Sequence, residues 1–397
     1  MTRDRERGGE VVFALVRGHA ARVTRQAFVL TILAAAGCGP TFKTLRDELA
    51  QGAPGAHIPG VPFVRQARNR CGPAALAAVA AFYKLPVTEQ KIADEVFLHS
   101  INGTLTIDMQ RFAQGQGLWC HSGQGTAEDV RRWLDRGVPV VALLRLGALH
   151  GGRLHYVVAT GYHAGRERFI VHTGYLPNRP MSYAAFERQF RDAGGWLLVA
   201  CPPERVSWPL SAEGHNDLGV VYERAGKLDR ARAEYQSAIE ADPAKPLFHF
   251  NLGNVLLRLG RRAEAECAYR EAIRLRPAYA DAHNNLAGLL LELGRRHEAH
   301  NEAQRAIEID GPRAAHYHDT LGRVLLALES YPAAVRAFRK AVEEAGRDAA
   351  TAADARLGLI EALVAAGERA QARAERDRLV ASTADPALRR KADELVK

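Results

Sequence analysis

The sequence contains few cysteines, and what it lacks excludes several classes of protein. Five cysteines occur in 397 residues, an odd number that fits no closed disulfide framework, and no CxxC pair indicates a zinc site. No HxxxH pair occurs either, so we expect no metal and no other cofactor. Aromatic residues make up only 7% of the chain, and there is no aromatic–basic ladder or nucleic-acid motif. We therefore expect no nucleic-acid partner.

Charge of one sign is in excess only in part of the chain. The formal net charge is +9. The basic excess lies in the first half, whereas basic and acidic side chains balance from residue 206 on. Such an excess would favour acidic substrates or anionic lipid, although an arginine-rich composition explains it without a function. Apolar residues make up 47% and charged residues 25%, as in ordinary globular proteins. The length predicts two or three domains.

No apolar run is long enough to cross a bilayer, which takes about 20 residues, but a shorter run lies near the start. Basic residues precede the apolar stretch Ala27–Ala36, which Gly37 and Cys38 follow. Its length is typical of a secretory signal peptide. Small residues directly before a cysteine resemble the lipobox of bacterial lipoproteins, with Ala35 where that family usually has leucine.

This resemblance implies that Cys38 is lipidated and becomes the mature N-terminus. It implies the membrane as a partner through that lipid, and a location in the bacterial cell envelope, facing the periplasm or the exterior. We expect residues 1–38 to be the signal peptide and residues 39–60, with their Gly and Pro punctuation, to be a tether. Because residues 1–22 are polar, Val23 is an alternative start. An ordinary signal peptide or a buried helix is the alternative for the apolar run.

The second half of the chain repeats. The stretch "NDLGVVYERAGKLDRARAEYQSAIEADP" is followed by "FNLGNVLLRLGRRAEAECAYREAIRLRP", in which Leu, Gly, Ala, Tyr and Pro recur 34 residues apart. Small residues let two helices approach, aromatic residues fill the groove between them, and proline ends the second helix. The pattern resembles the tetratricopeptide repeat. This implies an all-α solenoid of about five repeats over residues 210–386, with residues 387–397 as a polar C-terminal cap.

The repeat resemblance also implies a curved scaffold that binds a peptide or protein partner and carries no chemistry. In this family the first helices of the repeats line the concave face. Polar residues on those helices are therefore candidate partner-binding residues, with solvated helix surface as the alternative: Asn251, Asn254, His283, Asn284 and Asn285. Cys267 lies among apolar neighbours, and we expect it to be a small buried residue.

A helix is predicted to begin at or directly after Cys71. In "CGPAALAAVAAFYK", Pro73 falls in the first turn, where proline is tolerated, and small apolar residues follow. The helix dipole and the free backbone N–H groups at such a start favour a thiolate. Cys71 is therefore a candidate nucleophile, and a buried core cysteine is the alternative.

A base for this nucleophile is predicted on a β-hairpin. The stretch "LHYVVATGYHAGRERFIVHTG" predicts strands over Leu154–Tyr162 and Arg168–Thr173. His155 lies at the start of the first strand, roughly opposite residues 173–176. An imidazole there would take the thiol proton while a third group orients the ring. A satisfied core histidine is the alternative for His155, and the other histidines of the hairpin, His163 and His172, are alternative bases.

The segments "RQARNRCGPAAL" and "HYVVATGYH" together resemble the bacteriocin-processing, double-glycine family of papain-like cysteine peptidases. The resemblance implies an α/β (α+β) papain-like domain, which we place at residues 61–205. It implies Cys71 as the nucleophile and His155 as the general base. It also implies that the side-chain amide of Gln66 donates to the oxyanion, beside the backbone N–H of Cys71; a surface polar residue is the alternative for Gln66.

Two positions depart from that family's pattern. Many members have an aspartate soon after the histidine, and the matching place here reads His172-Thr173-Gly174. Thr173 is then the candidate third member, with an uncharged hydroxyl that accepts from the imidazole. Gln66 lies five residues before Cys71 rather than six. Two alternatives follow: an inactive papain-like domain in a protein-binding assembly adaptor, or an acyl or peptidyl transferase.

The remaining candidates are expected to be structural. Asp108 is interpreted as a helix-start residue rather than a catalytic acid. Cys120 and Cys201 are expected to be structural thiols, with a disulfide between them as the alternative outside the cytoplasm. Taken together, the sequence predicts an exported, lipid-anchored cysteine peptidase. It would cleave a peptide bond of a peptide or protein substrate and bind a protein partner through its repeats.

Overall fold

The computed structural model describes residues 39–147, 152–309, 314–346 and 348–397. The predicted signal peptide and Cys38 lie outside these residues. The chain divides into two compact units. One consists of the residues up to Phe82 together with Gly123–Leu197, and the other of Tyr83–Ser122 together with Leu198–Lys397. None of the helices in the described ranges has the length and apolar character needed to span a membrane.

Helices and strands alternate up to residue 201. In chain order they are α1 (Phe42–Ala50), β1 (Gly55–His57), α2 (Cys71–Phe82), α3 (Glu89–Val96), β2 (Phe97–Leu98), β3 (Gly103–Thr104), α4 (Thr106–Gly115), β4 (Trp119–Gln124), α5 (Ala127–Asp135), β5 (Val140–Leu146), β6 (Arg153–His163), β7 (Arg168–His172), β8 (Arg179–Ser182), α6 (Tyr183–Asp192) and β9 (Trp196–Cys201). Asp108 lies in the first turn of α4, where a carboxylate complements the helix dipole. The α/β class expected for this part is confirmed.

One large sheet organises these strands. Its order is β4-β9-β5-β6-β7-β8, and β1 pairs with the far end of β6. The pairs β5–β6, β6–β7 and β7–β8 are antiparallel. A bulge interrupts β6 between Ala159 and Gly161. The predicted hairpin is therefore present as β6 and β7, with strand ends that differ from the prediction by at most one residue.

Helix α2 packs on the face of the sheet that carries Val158 and His172, which are directly paired on β6 and β7. Every residue of α2 from Gly72 to Ala80 is buried. Because most of these residues are alanines, the helix is thin and lies close to the strands. The opposite face carries Phe169, whose ring centre lies 4.2 Å from that of Phe186 on α6. This packing places the start of α2 beside the start of β6.

From residue 212 on, the described chain is helical. The helices are α7 (Ala212–Arg224), α8 (Leu228–Ala241), α9 (Pro246–Arg258), α10 (Arg262–Leu275), α11 (Ala280–Glu292), α12 (Arg296–Ile309), α13 (Ala314–Ala327), α14 (Tyr331–Glu344), α15 (Ala349–Ala365), α16 (Arg369–Ser382) and α17 (Pro386–Leu395). They form a succession of hairpin-like pairs that ends in α17. The all-α solenoid predicted from the repeats is confirmed.

The recurring glycines and aromatic residues of the repeats touch each other. A Cβ added to Gly219 would lie 2.6 Å from the ring of Tyr235, and one added to Gly253 would lie 2.6 Å from the ring of Tyr269. Both tyrosines are fully buried. The glycine of the first helix therefore leaves room for the aromatic ring of the second, as the sequence pattern predicts.

Candidate active site

Cys71 is the first residue of α2, at the start of the helix as predicted. Asn69, with a φ of 62°, turns the chain just before it. The thiol borders a cavity of about 10 Å³, room for about one water molecule. The cavity is lined by Val64, Cys71, Ala74, Ala75, Ala78, Tyr156, Val158, His172 and Gly174.

Burial raises the pKa of the Cys71 thiol above its ordinary value. Hydrogen bonds from the backbone of Tyr156, Gly72 and Cys71 itself favour the thiolate and oppose this effect without outweighing it. The hydrogen bonds at the helix start lower the pKa of Cys71, as the sequence indicates, but burial raises it by more. Burial of the thiol therefore favours its neutral form, although the hydrogen bonds at the helix start favour the thiolate as the sequence predicts.

His155 is buried at the start of β6, and its ring is held from one side. Its Nε2 lies 2.6 Å from the carbonyl oxygen of Thr173. A carbonyl only accepts, so Nε2 carries the proton and Nδ1 keeps its lone pair. Burial lowers the pKa of His155, and the Thr173 bond raises it by a smaller amount. The ring is thus a neutral imidazole with one nitrogen able to accept a proton.

Thr173 serves His155 through its main chain rather than its hydroxyl. The Thr173 hydroxyl accepts the N–H of Leu176 at 3.1 Å, and the Thr173 N–H donates to the Leu176 carbonyl at 3.1 Å. The hydroxyl is therefore engaged in the turn that follows β7. The carbonyl of Thr173, not its predicted hydroxyl, bonds to the ring, because the hydroxyl is engaged with Leu176. That Thr173 is a third catalytic member stays a prediction.

Tyr175 covers the ring of His155. The two rings are nearly parallel, at 8°, with centres 5.9 Å apart. Tyr175 is itself 60% exposed, so its outer face meets solvent while its inner face shields the imidazole. Sequence reasoning placed residues 173–176 opposite His155 but did not assign a role to this tyrosine. An aromatic residue in the segment predicted to lie opposite His155 was the available signal.

Gln66 lies against the same turn. Its backbone N–H donates to the carbonyl of Gly174 at 2.9 Å. Its side chain is only 8% exposed, and its Oε1 has no hydrogen-bond partner among the described residues. A buried amide with an open bond is unusual in a core and typical of a functional site. The surface alternative for Gln66 is excluded.

No hydrogen bond joins Cys71 to His155 among the described contacts; the thiol is reached instead by the backbone of Tyr156, the residue after His155. The two predicted catalytic residues thus lie at neighbouring positions of helix and strand. Burial raises the pKa of the one and lowers that of the other. The resting pair is therefore a neutral thiol and a neutral imidazole.

The two other hairpin histidines, His163 and His172, contact residues of the surrounding fold. His172 donates from Nε2 to the carbonyl of Val61 at 3.0 Å and accepts the N–H of Asn178 at 3.1 Å. His163 lies 3.0 Å from the carboxylate of Glu48 and accepts the N–H of Arg166 at 3.2 Å. Both ring nitrogens of His172 are hydrogen-bonded, so it is not available as a base. In His163, Nδ1 accepts the Arg166 N–H and Nε2 lies beside the Glu48 carboxylate.

The other cysteines are free thiols in the described structure. Cys120 and Cys201 are buried, and burial raises the pKa of each. Cys120 and Cys201 therefore form no disulfide with each other in this structure. Cys267 is exposed, so its predicted burial is wrong. It lies off the buried stripe of α10 formed by Ala265, Ala268 and Tyr269.

The predicted partner-binding residues on the repeats divide into two groups. The four asparagines are partly buried and bond along the stack of first helices. Asn251 donates to Asn216 at 2.8 Å, and Asn285 donates to Asn254 at 2.9 Å; Asn284 lies beside Asn285. Their role in partner binding stays a prediction.

His283 is different, because it is buried. Its Nδ1 lies 2.6 Å from Glu302, and its Nε2 lies 3.0 Å from the carbonyl of Pro277. Its placement on a partner-facing surface is wrong, since its position on α11 turns it toward α12 rather than outward. Across the described ranges, no group of three or more His, Cys, Asp or Glu side chains is placed to hold a metal ion.

Models of two kinds of family match different parts of the chain. Residues 58–196 match the Peptidase_C39 like family. Residues 224–260 match a TPR repeat family, and residues 250–315 and 287–352 match a tetratricopeptide repeat family. No curated protein matches the chain.

Solved structures of repeat proteins resemble the helical part. The TPR protein YrrB is 21% identical, and the match covers 46% of this chain and 92% of that chain with a TM-score of 0.38. Pseudomonas aeruginosa pilF is 22% identical over 47% of this chain and 86% of that chain, with a TM-score of 0.40. MamA from Desulfovibrio magneticus RS-1 is 17% identical over 43% of this chain and 94% of that chain, with a TM-score of 0.39. At such identities and scores, they carry no argument about activity. The chain therefore carries a Peptidase_C39-like domain followed by tetratricopeptide repeats.

Proposed function

We propose that the protein is a cysteine peptidase that cleaves a peptide bond by acyl transfer, with Cys71 as nucleophile and His155 as general base. The observation that carries the proposal is the 2.6 Å bond from His155 Nε2 to the Thr173 carbonyl. It fixes the tautomer that leaves Nδ1 free to accept a proton. The neighbouring backbone contact between Cys71 and Tyr156 supports the same assignment.

The reaction begins from the neutral pair. As the substrate carbonyl approaches, the thiol proton passes from Cys71 to His155 Nδ1 and a bond forms between Sγ and the carbonyl carbon. The oxyanion is stabilised by the Cys71 backbone N–H and the side-chain amide of Gln66. The imidazolium then gives its proton to the leaving amine as the C–N bond breaks. Water then attacks the thioester carbon as His155 takes one of its protons. The C–S bond breaks, the imidazolium returns the proton to Cys71 Sγ, and the carboxylic acid is released.

A carbonyl in place of a carboxylate changes the energetics of this step. The Thr173 carbonyl orients the ring and stabilises the imidazolium through its dipole, but it carries no full charge. Desolvation also disfavours both charged groups of the transient pair. Both effects raise the cost of proton transfer. We therefore expect a slow enzyme that relies on a well-placed substrate to bring Cys71 and His155 together.

The repeats are proposed to bind a protein partner or to present the polypeptide substrate. The half-buried asparagines Asn251, Asn254, Asn284 and Asn285 support this, because their amides stand in a row along successive first helices. From the sequence alone, we propose that a lipid on Cys38 anchors the protein to a membrane of the cell envelope. Replacement of Cys38 by serine should release the protein from membranes on fractionation.

The test uses p-nitrophenyl acetate, a small acyl donor that makes no demand on substrate sequence. Its carbonyl carbon bonds to Cys71 Sγ and nitrophenolate leaves, so the burst of nitrophenolate counts acylated enzyme. Wild type should show a burst whose acetyl group maps to Cys71 by mass spectrometry, and His155→Gln should remove it. A burst that survives in His155→Gln would contradict the proposal. Added amines that capture the acyl group would indicate a transferase.

A second function is favoured by the neutral resting pair. If Cys71 is never acylated above the rate of the exposed Cys267, the papain-like unit is an inactive binding module. The protein would then be an assembly adaptor that acts through its repeats. The same burst experiment separates the two, because the adaptor predicts no difference between wild type and His155→Gln.

A further inference from the structure

Gly174 lies between the two groups that are proposed to act on the substrate. The residue before it, Thr173, holds His155 at 2.6 Å through its carbonyl. Gly174 itself borders the cavity beside the Cys71 thiol, and its carbonyl accepts the N–H of Gln66 at 2.9 Å. The turn at residues 173–174 therefore bonds to the proposed base and to the proposed oxyanion donor, and it lines the same cavity as the nucleophile.

The carboxamide of Gln66 occupies the space where a side chain at position 174 would stand. A Cβ added to Gly174 would collide with Gln66 Oε1 and lie 2.9 Å from Gln66 Cδ and 3.1 Å from Cγ. Contacts this short with three successive atoms of one side chain require it to move. The Oε1 has no hydrogen-bond partner among the described residues, and it lies directly against the bare Gly174 backbone.

Backbone conformation gives Gly174 a second reason to be glycine. Its φ is 76°, in the left-handed region that disfavours other residues. A substitution there therefore mixes backbone strain with the displacement of Gln66. Gly137 separates the two, because its φ is 70° and a Cβ added to it would meet nothing within 4 Å.

We propose that Gly174 is a positioning residue for the oxyanion donor. Because Gly174 has no side chain, the Gln66 carboxamide fits against its backbone, and this fit directs the amide toward the oxygen of the carbonyl group that Cys71 attacks. The inference rests on the proposed function of Cys71 and His155 and adds the residue that sets Gln66. A side chain at position 174 would leave the thiol and the imidazole in place and remove the donor.

Two reagents that attack the same thiol separate these effects. Acylation by p-nitrophenyl acetate passes through a tetrahedral oxyanion, so it requires the donor. Alkylation by iodoacetamide displaces iodide from a methylene carbon and forms no oxyanion. Loss of one oxyanion donor costs about 10²–10³ in rate. For Gly174→Ala we therefore expect Cys71 acylation to slow about 100-fold, and alkylation of Cys71 to stay within about twofold of wild type.

The matched variants complete the design. Gly137→Ala should leave both rates within about twofold, although it carries the same backbone strain. In a Gln66→Ala background, Gly174→Ala should cause no further loss of acylation, because the donor is already gone. If Gly174→Ala alone does not fold, the double variant still decides, since shortening Gln66 removes the collision and should restore folding.

The outcomes distinguish this inference from the proposal beneath it. Equal acylation in Gly174→Ala and Gly137→Ala, with wild type active, overturns the role of Gly174 alone. Additive losses for Gln66→Ala and Gly174→Ala do the same. If wild-type Cys71 shows no His155-dependent acylation at all, the proposed peptidase function fails instead.

Discussion

Two buried histidines, one in each unit, differ in how their second ring nitrogen is used. His155 and His283 are 7% and 6% exposed, and each places Nε2 against a backbone carbonyl. In His283 the other nitrogen meets the carboxylate of Glu302 at 2.6 Å. In His155 no described residue bonds to Nδ1. The repeat unit uses its histidine as a fully paired structural residue, whereas the first unit leaves one nitrogen open.

Other polar groups do not repeat this contrast, because buried atoms without a hydrogen-bond partner among the described residues occur in both regions. In the repeats the glycines and tyrosines pack closely, and the asparagines bond in pairs, but Asn284 Oδ1 has no partner among the described residues. Around Cys71, the Gln66 side chain is buried with an open Oε1, and burial raises the pKa of the thiol. Folded proteins leave few buried polar groups unsatisfied, so each exception calls for its own explanation, such as a ligand or a water molecule. What distinguishes the first unit is the open Nδ1 of His155 in the same unit as the buried Cys71 thiol, and the proposal that this unit carries the chemistry rests on it.

The largest expected effect comes from replacing the two histidines in turn. His155→Gln should reduce Cys71 acylation by about 10³-fold or more, because the base is lost, with little change in stability. His283→Gln should leave acylation unchanged and lower the free energy of unfolding by about 1–2 kcal/mol, because Glu302 loses its partner. Burst kinetics and denaturant unfolding measure the two effects. The reverse pattern would contradict the division of labour.

Glycines of the repeats give the next largest effect. Gly253→Ala should lower the free energy of unfolding by about 2 kcal/mol, because the new Cβ would lie 2.6 Å from the buried ring of Tyr269. Gly288→Ala is the matched control, since a Cβ there meets nothing within 4 Å. It should stabilise by about 0.5–1 kcal/mol through helix propensity. Urea titration compares them, and equal effects would refute the packing argument.

Cysteine reactivity provides a third contrast. Burial raises the pKa of Cys71, whereas Cys267 is exposed on the repeats. At pH 7 we expect iodoacetamide to alkylate Cys71 more slowly than Cys267, because burial favours the neutral Cys71 thiol and restricts access of the reagent. The Cys71 rate should keep rising above pH 9. A plateau of the Cys71 rate below pH 7, lost in His155→Gln, would show a resting thiolate instead.

The smallest effect is expected from the aromatic cover of His155. Tyr175→Ala should slow acylation about three- to tenfold, through loss of the stacked ring that holds the imidazole. Desolvation is the main cause that lowers the pKa of His155, so exposing the ring should raise that pKa. The neutral base is then lost at a higher pH as the solution is acidified, and the acid limb of the rate profile moves up. An unchanged profile with an unchanged rate would exclude this role.

Much of this organisation was predictable, and the failures have local causes. The period of the repeats predicted the solenoid, and the hairpin pattern placed residues 173–176 opposite His155. What failed depends on three-dimensional surroundings. The hydroxyl of Thr173 is drawn into a turn with Leu176, and the thiol of Cys71 is desolvated by the elements packed around it. His283 is buried and Cys267 is exposed because of the side of the helix on which each lies. The types of the neighbouring residues in the sequence did not reveal which side that is.

The most direct test of the account is the protonation of His155 itself. In protein with ¹⁵N-labelled histidine, the His155 ring signals are assigned by their loss in His155→Gln. The account predicts a neutral ring at pH 7 with the proton on Nε2, where it donates to the Thr173 carbonyl, and no proton on Nδ1. A ring protonated on both nitrogens at pH 7, or a proton on Nδ1 alone, would contradict the neutral pair from which the proposed acyl transfer begins.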